Sequence, residues 1–146
     1  MRRALLFVML VMMLTLVSCQ KNNPSKHPIV GTWGRIRIEL SQISVGGLFE
    51  ATTEYDPYNP SKDGDMKLVI TYESNNLFLM TYYRWNINTS TWGAVLESRI
   101  LVEDRVIYYE NHVKKGLMIS DDQLVLYADN EAETGIHGED YYTKME

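Results

Sequence analysis

The sequence predicts an all-β domain, an antiparallel up-and-down barrel of about eight to nine strands. Apolar and polar residues alternate with a period of two along most of residues 29–146, and no stretch there has a helical period. The breaks between the alternating runs are short and rich in turn residues, which excludes parallel crossovers of a dozen or more residues. Closing such a sheet into a barrel removes its exposed edges.

The chain begins with the features of a secretory leader. Arg2 and Arg3 precede an apolar run over residues 4–17, and Ser18 and Cys19 follow. A helix of that run would span about 21 Å, short of the ~30 Å hydrocarbon core of a bilayer. We therefore expect residues 1–18 to be a signal peptide that is removed.

Residues 19–28 are polar, and two of the four prolines lie among them, which predicts an extended tether before a single domain over residues 29–146. Cys19 is the only cysteine, so no internal disulfide can form. Loss of Arg2 and Arg3 with the leader lowers Lys plus Arg from 14 to 12 against 19 acidic residues, a net charge of −7. That balance argues against a nucleic-acid partner.

The strands are predicted in order along the domain. The first is expected to open at residue 29, directly after the tether, and the others are expected over residues 66–73, 77–85, 92–102, 105–110, 113–119, 123–128 and 141–145. Two polar stretches, residues 50–65 and 129–140, interrupt the alternation and are expected to be loops. The first would be either a flap over one barrel end or a disordered insertion.

The first strand leaves two alternatives for its inward face. If Trp33 faces inward and the strand is regular, Arg35 and Arg37 also face inward and would receive a carboxylate ligand. A bulge at Gly34 would instead turn the isoleucines and leucine of residues 36–40 into the core. The bulge is favoured because burying unpaired charge is costly.

Two short motifs indicate a family. Leu16-Val17-Ser18-Cys19 resembles the lipobox of bacterial lipoproteins, and Gly31-Thr32-Trp33 resembles the Gly-x-Trp signature that opens the first strand of lipocalins. The whole layout resembles the small lipocalin-like (calycin) lipoproteins of Gram-negative envelopes. The resemblance implies that Cys19 is lipidated, and that Trp33 closes one barrel end with Lys144 as its cationic partner. Several acyl chains on one residue give a stable membrane anchor.

The resemblance also implies binding of a small apolar or amphipathic ligand in the barrel, since about eight strands can enclose one such molecule. The alternative is a structural or interaction lipoprotein whose barrel is filled by side chains and which contacts another envelope protein. Because no Asp follows Cys19, the outer membrane is the expected location. The candidate ligand or rim residues are aromatic: Tyr55, Tyr58, Tyr83, Trp85 and Trp92, of which the last three could fill the interior together with Leu96.

Catalytic and metal-binding patterns are not found in the sequence. His27, His112 and His137 are far apart, and neither a nucleophile motif nor a phosphate-binding glycine loop occurs. Neighbouring charges such as Glu139 with Asp140 and Lys114 with Lys115 are expected to be solvated. The sequence thus predicts neither an enzyme nor a metal or cofactor site.

Overall fold

The computed structural model describes residues 26–44, 46–61, 65–128 and 136–145. The predicted leader and Cys19 lie outside the described residues. Nine strands lie within those ranges: β1 (Gly31–Ser44), β2 (Gly47–Glu54), β3 (Met66–Ser74), β4 (Leu77–Asn86), β5 (Thr91–Glu103), β6 (Val106–Tyr109), β7 (Lys114–Met118), β8 (Gln123–Tyr127) and β9 (Ile136–Met145).

Eight of these strands form a closed antiparallel barrel in chain order. The sheet runs β1-β3-β4-β5-β6-β7-β8-β9, and β9 pairs again with β1 to close it. The ninth strand, β2, pairs antiparallel with the second half of β1, beyond the four residues through which β1 pairs with β3. The predicted all-β, antiparallel up-and-down barrel is therefore confirmed.

Tight turns explain why consecutive strands pair. Asn75 and Asn76 between β3 and β4, and Asp104 and Arg105 between β5 and β6, have positive φ angles of 45° to 68°. Two successive residues of this kind give a turn whose twist matches that of the flanking strands. The chain therefore reverses within two residues and pairs with its own preceding strand.

Both loops expected from the sequence are shorter than predicted. Residues 50–54 belong to β2, and residues 136–140 belong to β9. The polar composition of both segments suggested loops, but strand pairing with β1 satisfies the backbone of each. The sequence of β2 does not alternate between apolar and polar residues, because nearly all of its side chains are exposed rather than alternately buried.

One end of the barrel is covered by the segment that precedes β1. We call this the tether end; the connections that follow β2, β4, β6 and β8 form the opposite, loop end. Ile29 is fully buried, and the His27 ring lies 5.1 Å from that of Phe78, so the part of the predicted tether that the structure describes packs against the barrel. The core extends from there and comprises Ile29, Trp33, Leu68, Ile70, Phe78, Met80, Tyr82, Ile100, Val102, Ile107, Met118, Leu124, Leu126 and Tyr142.

Candidate functional site

A bulge in β1 decides which side chains enter the barrel. Arg35 pairs with Tyr142 of β9, whereas Arg37 pairs with Tyr141, so Ile36 is the extra residue. The bulge that the sequence favoured at Gly34 thus lies two residues later. As a result Arg35 stays on the inward face with Trp33, and Arg37 turns to the outer face. Each of the two sequence alternatives was right about one arginine and wrong about the other.

The inward Arg35 is the centre of a polar cluster inside the barrel. Its side chain is only 7% exposed, and its Nη1 lies 4.0 Å from Oδ2 of Asp140. The guanidinium carbon lies 4.3 Å from the ring centroid of Tyr55, within the range of a cation–π contact. Tyr55 reaches this position because its N–H donates to the Ile36 carbonyl, which extends the β1–β2 ladder by one residue.

Burial changes the acidity of the groups around Arg35. Desolvation raises the pKa of the Asp140 carboxyl, and the charges of Arg35 and Lys115 oppose that rise. Desolvation likewise raises the pKa of the Tyr82 and Tyr142 hydroxyls well above the ordinary value, and the Asp140 charge adds to the effect. Both hydroxyls therefore remain protonated donors at any physiological pH.

The hydroxyl of Tyr142 lies inside the barrel near Asp140. Tyr142 is fully buried, and its oxygen has no well-formed hydrogen bond within the described ranges, although the Asp140 carboxylate is near enough to act on its pKa. On the far side, Lys115 Nζ donates to the Tyr127 carbonyl at 2.9 Å. Two cations, one carboxylate and several hydroxyls thus surround one region of the interior, an arrangement suited to holding a polar or anionic group.

Most members of this cluster were missed in the sequence. Asp140 and Lys115 were expected to be solvated, but pairing places Asp140 inward beside Leu126, and Lys115 occupies a register shift between β6 and β7. One signal was available: Asp140, Tyr142 and Lys144 alternate along β9. An inward Lys144 therefore requires the other two to face inward as well.

Trp33 and Lys144 lie together at the tether end. Trp33 is fully buried, its Nε1 donates to the Ile29 carbonyl at 2.8 Å, and Lys144 Nζ lies 5.3 Å from the indole ring. Lys144 Nζ also donates to the Pro28 carbonyl at 2.6 Å. The two side chains thus hold the segment before β1 against the barrel.

The aromatic residues Tyr83, Trp85 and Trp92 do not fill the interior. The buried apolar side chains of β4 alternate at Phe78, Met80 and Tyr82, so Tyr83 and Trp85 point to the outer face. Trp85 pairs with Trp92 across the β4–β5 ladder at 5.3 Å, and Lys67 Nζ lies 4.7 Å from the Trp92 ring. These rings cover the outer wall near the loop end. The possibility that these three side chains fill the interior is therefore wrong.

Two further candidates sit at the loop end. Leu96 pairs with the inward Tyr82, yet its side chain is 56% exposed, so the inner wall is open to solvent at this level. Tyr58 is exposed in the loop after β2, where Asp56 caps the turn by accepting the Tyr58 N–H at 3.0 Å. Of the two predicted loop tyrosines, only Tyr55 contacts the polar cluster.

A second polar region lies on the outer face of β9, β1 and β2. It is a groove of about 430 Å³ whose lining includes Glu39, Glu50, His137 and Glu139. Tyr141 donates its hydroxyl to Glu139, which raises the pKa of Tyr141 to about 12. The groove is therefore rich in carboxylates. Over the described residues, no three His, Cys, Asp or Glu side chains converge as metal ligands would.

Comparison with solved structures gives a likeness in fold, whereas comparison with sequences does not. No protein-family model and no curated protein matches the sequence. Among solved structures, the chain is similar to the siderocalin Ex-FABP, described as functioning through dual ligand specificities. The identity is 12%, the match covers 81% of this chain and 74% of that chain, and the TM-score is 0.47. Among the helices of the described residues, none has the length and apolar character of a membrane span.

Proposed function

We propose that this protein binds one small amphipathic molecule inside the barrel, with the polar group of that molecule held by the cluster around Arg35. The observation that carries the proposal is the burial of Arg35 in the interior beside the half-buried Asp140. Buried charges destabilise a fold unless they are paired or used, and they concentrate at functional sites. With Arg35 and Lys115 against one carboxylate, the cluster favours a ligand with an anionic or hydrogen-bonding head.

The apolar part of the ligand would extend toward the loop end. Leu40 pairs with Gly138 and Leu96 pairs with Tyr82, so both leucines face inward by register, and both are exposed. The tether half of the interior, by contrast, is packed with core side chains. A guest between the polar cluster and these leucines would bury apolar surface at about 25 cal/mol per Å².

The loop after β2 is the proposed flap over this entrance. Its first residue, Tyr55, already stacks on Arg35, and Tyr58 is exposed further along. Both tyrosines could cover an apolar guest while their hydroxyls stay in water. Deleting residues 57–60 should therefore speed ligand exchange and change thermal stability little, because closure entropy varies slowly with loop length.

We further propose that Cys19 carries the lipid anchor and holds the protein at the outer membrane. Six residues lie between Cys19 and Lys26, the first described residue, and a fully extended chain over this interval reaches about 25 Å at most. The described chain enters the barrel at the tether end. That end would consequently lie toward the bilayer, and the loop end would face away from it.

The test is native mass spectrometry of the full chain released from detergent, followed by titration with a fluorescent fatty acid. We expect a retained small molecule, or probe binding at micromolar concentration. Arg35→Met should weaken binding of the probe about tenfold, and Arg37→Met, on the outer face, should not. If no molecule co-purifies and no probe binds at high micromolar concentration, the alternative of an interaction lipoprotein with a filled barrel is the better description.

A further inference from the structure

The free edge of β2 is an interaction surface that the barrel itself does not need. Within the described ranges β2 pairs with β1 alone, while every other strand has at least two neighbours. Leu48 and Phe49 are 63% and 59% exposed, and most other positions of the strand are exposed too. An unpaired, exposed strand edge presents a row of backbone donors and acceptors to any extended chain that can reach it.

The register identifies which backbone groups face outward. Tyr55 donates its N–H to the Ile36 carbonyl, so this pair is hydrogen-bonded, and hydrogen-bonded pairs recur at every second residue of an antiparallel ladder. Thr53 and Ala51 then bond to β1 as well. The residues between them direct their N–H and C=O groups to the free edge: Leu48, Glu50, Thr52 and Glu54.

The negative charge of β2 indicates that the partner is cationic. Glu50 and Glu54 project on one face of the edge, and neither forms an ion pair in the part of the chain that the structure describes. Glu39 and Glu139 line the adjoining groove on the same face. A strand laid antiparallel against β2 would therefore be stabilised by cationic residues opposite Glu50 and Glu54.

A second copy of this chain fits the edge poorly. Two β2 strands paired across their free edges would place the Glu50 and Glu54 side chains of both copies on one face of a four-stranded patch. No cation of β2 lies among them, because the sequence of the strand is Gly-Leu-Phe-Glu-Ala-Thr-Thr-Glu. Like charges at adjacent cross-strand positions are destabilising.

We propose that β2 accepts an extended basic segment of a partner protein by strand addition. The segment would carry Lys or Arg at two positions four residues apart, a small polar residue midway between them, and an apolar residue that meets Leu48. Backbone hydrogen bonds would give affinity, and the two cations would give specificity and register. This site is separate from the barrel interior, so its success or failure does not depend on ligand binding there.

The probe is a fluorescein-labelled peptide, Lys-Thr-Thr-Val-Lys-Val-Leu-Thr, titrated against the full chain in nonionic detergent and followed by anisotropy. We expect saturable binding that weakens as salt is raised. Methylating the backbone nitrogens of peptide positions three and five, which would point at β2, should weaken binding at least tenfold. Methylating positions four and six, which would point away, should leave binding within about twofold.

Two variants of the protein complete the test. Thr52→Pro removes an N–H that faces the free edge, where proline is tolerated, and should weaken binding at least tenfold, whereas Thr52→Ala should not. Glu50→Lys with Glu54→Lys should abolish binding of this peptide and create binding of the version with both Lys replaced by Glu. Equal binding of the two methylated peptides would overturn strand addition. So would self-association without peptide that Thr52→Pro abolishes, which would identify a second copy as the occupant.

Discussion

Replacing Arg35 by Met, in comparison with Arg37 by Met, tests the position of the bulge in β1. The two arginines are two residues apart on one strand and would face the same side if the strand were regular. The bulge at Ile36 places Arg35 inside, at 7% exposure, and Arg37 outside, at 37% exposure. Met keeps most of the aliphatic stem, so each substitution chiefly removes a charge.

The structure predicts different losses of folding free energy for the two substitutions. Arg35→Met removes the cation–π contact with Tyr55, worth about 1 kcal/mol, and leaves the Asp140 carboxylate without its closest cation. Removing one partner of a fully buried ion pair costs about 3–5 kcal/mol. The 4.0 Å separation of Arg35 and Asp140 and the partial exposure of Asp140 make this cost smaller here, so we expect a total loss of about 2–3 kcal/mol. Arg37→Met removes an ion pair with Glu39 and a cation–π contact with Tyr141, but Arg37 is half-exposed, so the total loss should be about 1 kcal/mol.

Urea unfolding followed by circular dichroism measures both losses of free energy. Thermal unfolding should show corresponding falls in Tm of about 8–12 °C and under about 4 °C. Without Arg35, the pKa of Asp140 should rise further, because the opposing charge is gone. A raised carboxyl pKa in the folded state disfavours folding as pH increases, so the deficit of Arg35→Met should be larger at about pH 7 than at about pH 4. Asp140→Asn added to Arg35→Met should recover part of the loss. Equal losses for the two arginine variants would refute the assigned bulge.

Three further predictions concern residues of the tether end and Cys19. Trp33→Ala should cost about 3–5 kcal/mol, since the indole is fully buried, whereas Trp85→Ala on the outer wall should cost well under half of that in the same urea titration. Desolvation lowers the pKa of His27 below 6.5, so near and below pH 6.5 the folded state binds fewer protons than the unfolded state. Thermal stability should therefore fall as the pH drops below about 6.5. His27→Phe should remove this dependence of stability on pH. Cys19→Ser should release the protein from membranes or leave the precursor uncut, and unchanged fractionation with unchanged mass would contradict the proposed anchor.

The periodicity of the sequence is sufficient to predict the eight strands of the barrel and their order. Alternation with period two identified β3, β4 and β5 within one or two residues at each end, and the Asn75-Asn76 turn allows only an antiparallel neighbour. β2 was missed because alternation identifies a strand by contrast between a buried and an exposed face. A strand exposed on both faces offers no such contrast.

The polar cluster could not be predicted, because it depends on the position of the β1 bulge, which the alternation of apolar and polar residues does not reveal. A single extra residue at Ile36 keeps Arg35 inside and sends Arg37 outside, and local sequence does not distinguish this from a bulge at Gly34. The position of the bulge is decided by what β9 offers opposite β1: Tyr142 beside Arg35, and Tyr141 whose ring lies 4.2 Å from the Arg37 guanidinium carbon.

The sequence by itself therefore determined the class of fold and the order of the barrel strands, because these depend on local turn chemistry and on the period of the side chains. Only the tertiary structure decided which face of β1 is the inside, that Asp140 and Lys115 join Arg35, and that β2 keeps a free edge. Each of these depends on pairing between strands far apart in the chain. A shift of one residue in such pairing exchanges the two faces of a strand without changing its local pattern.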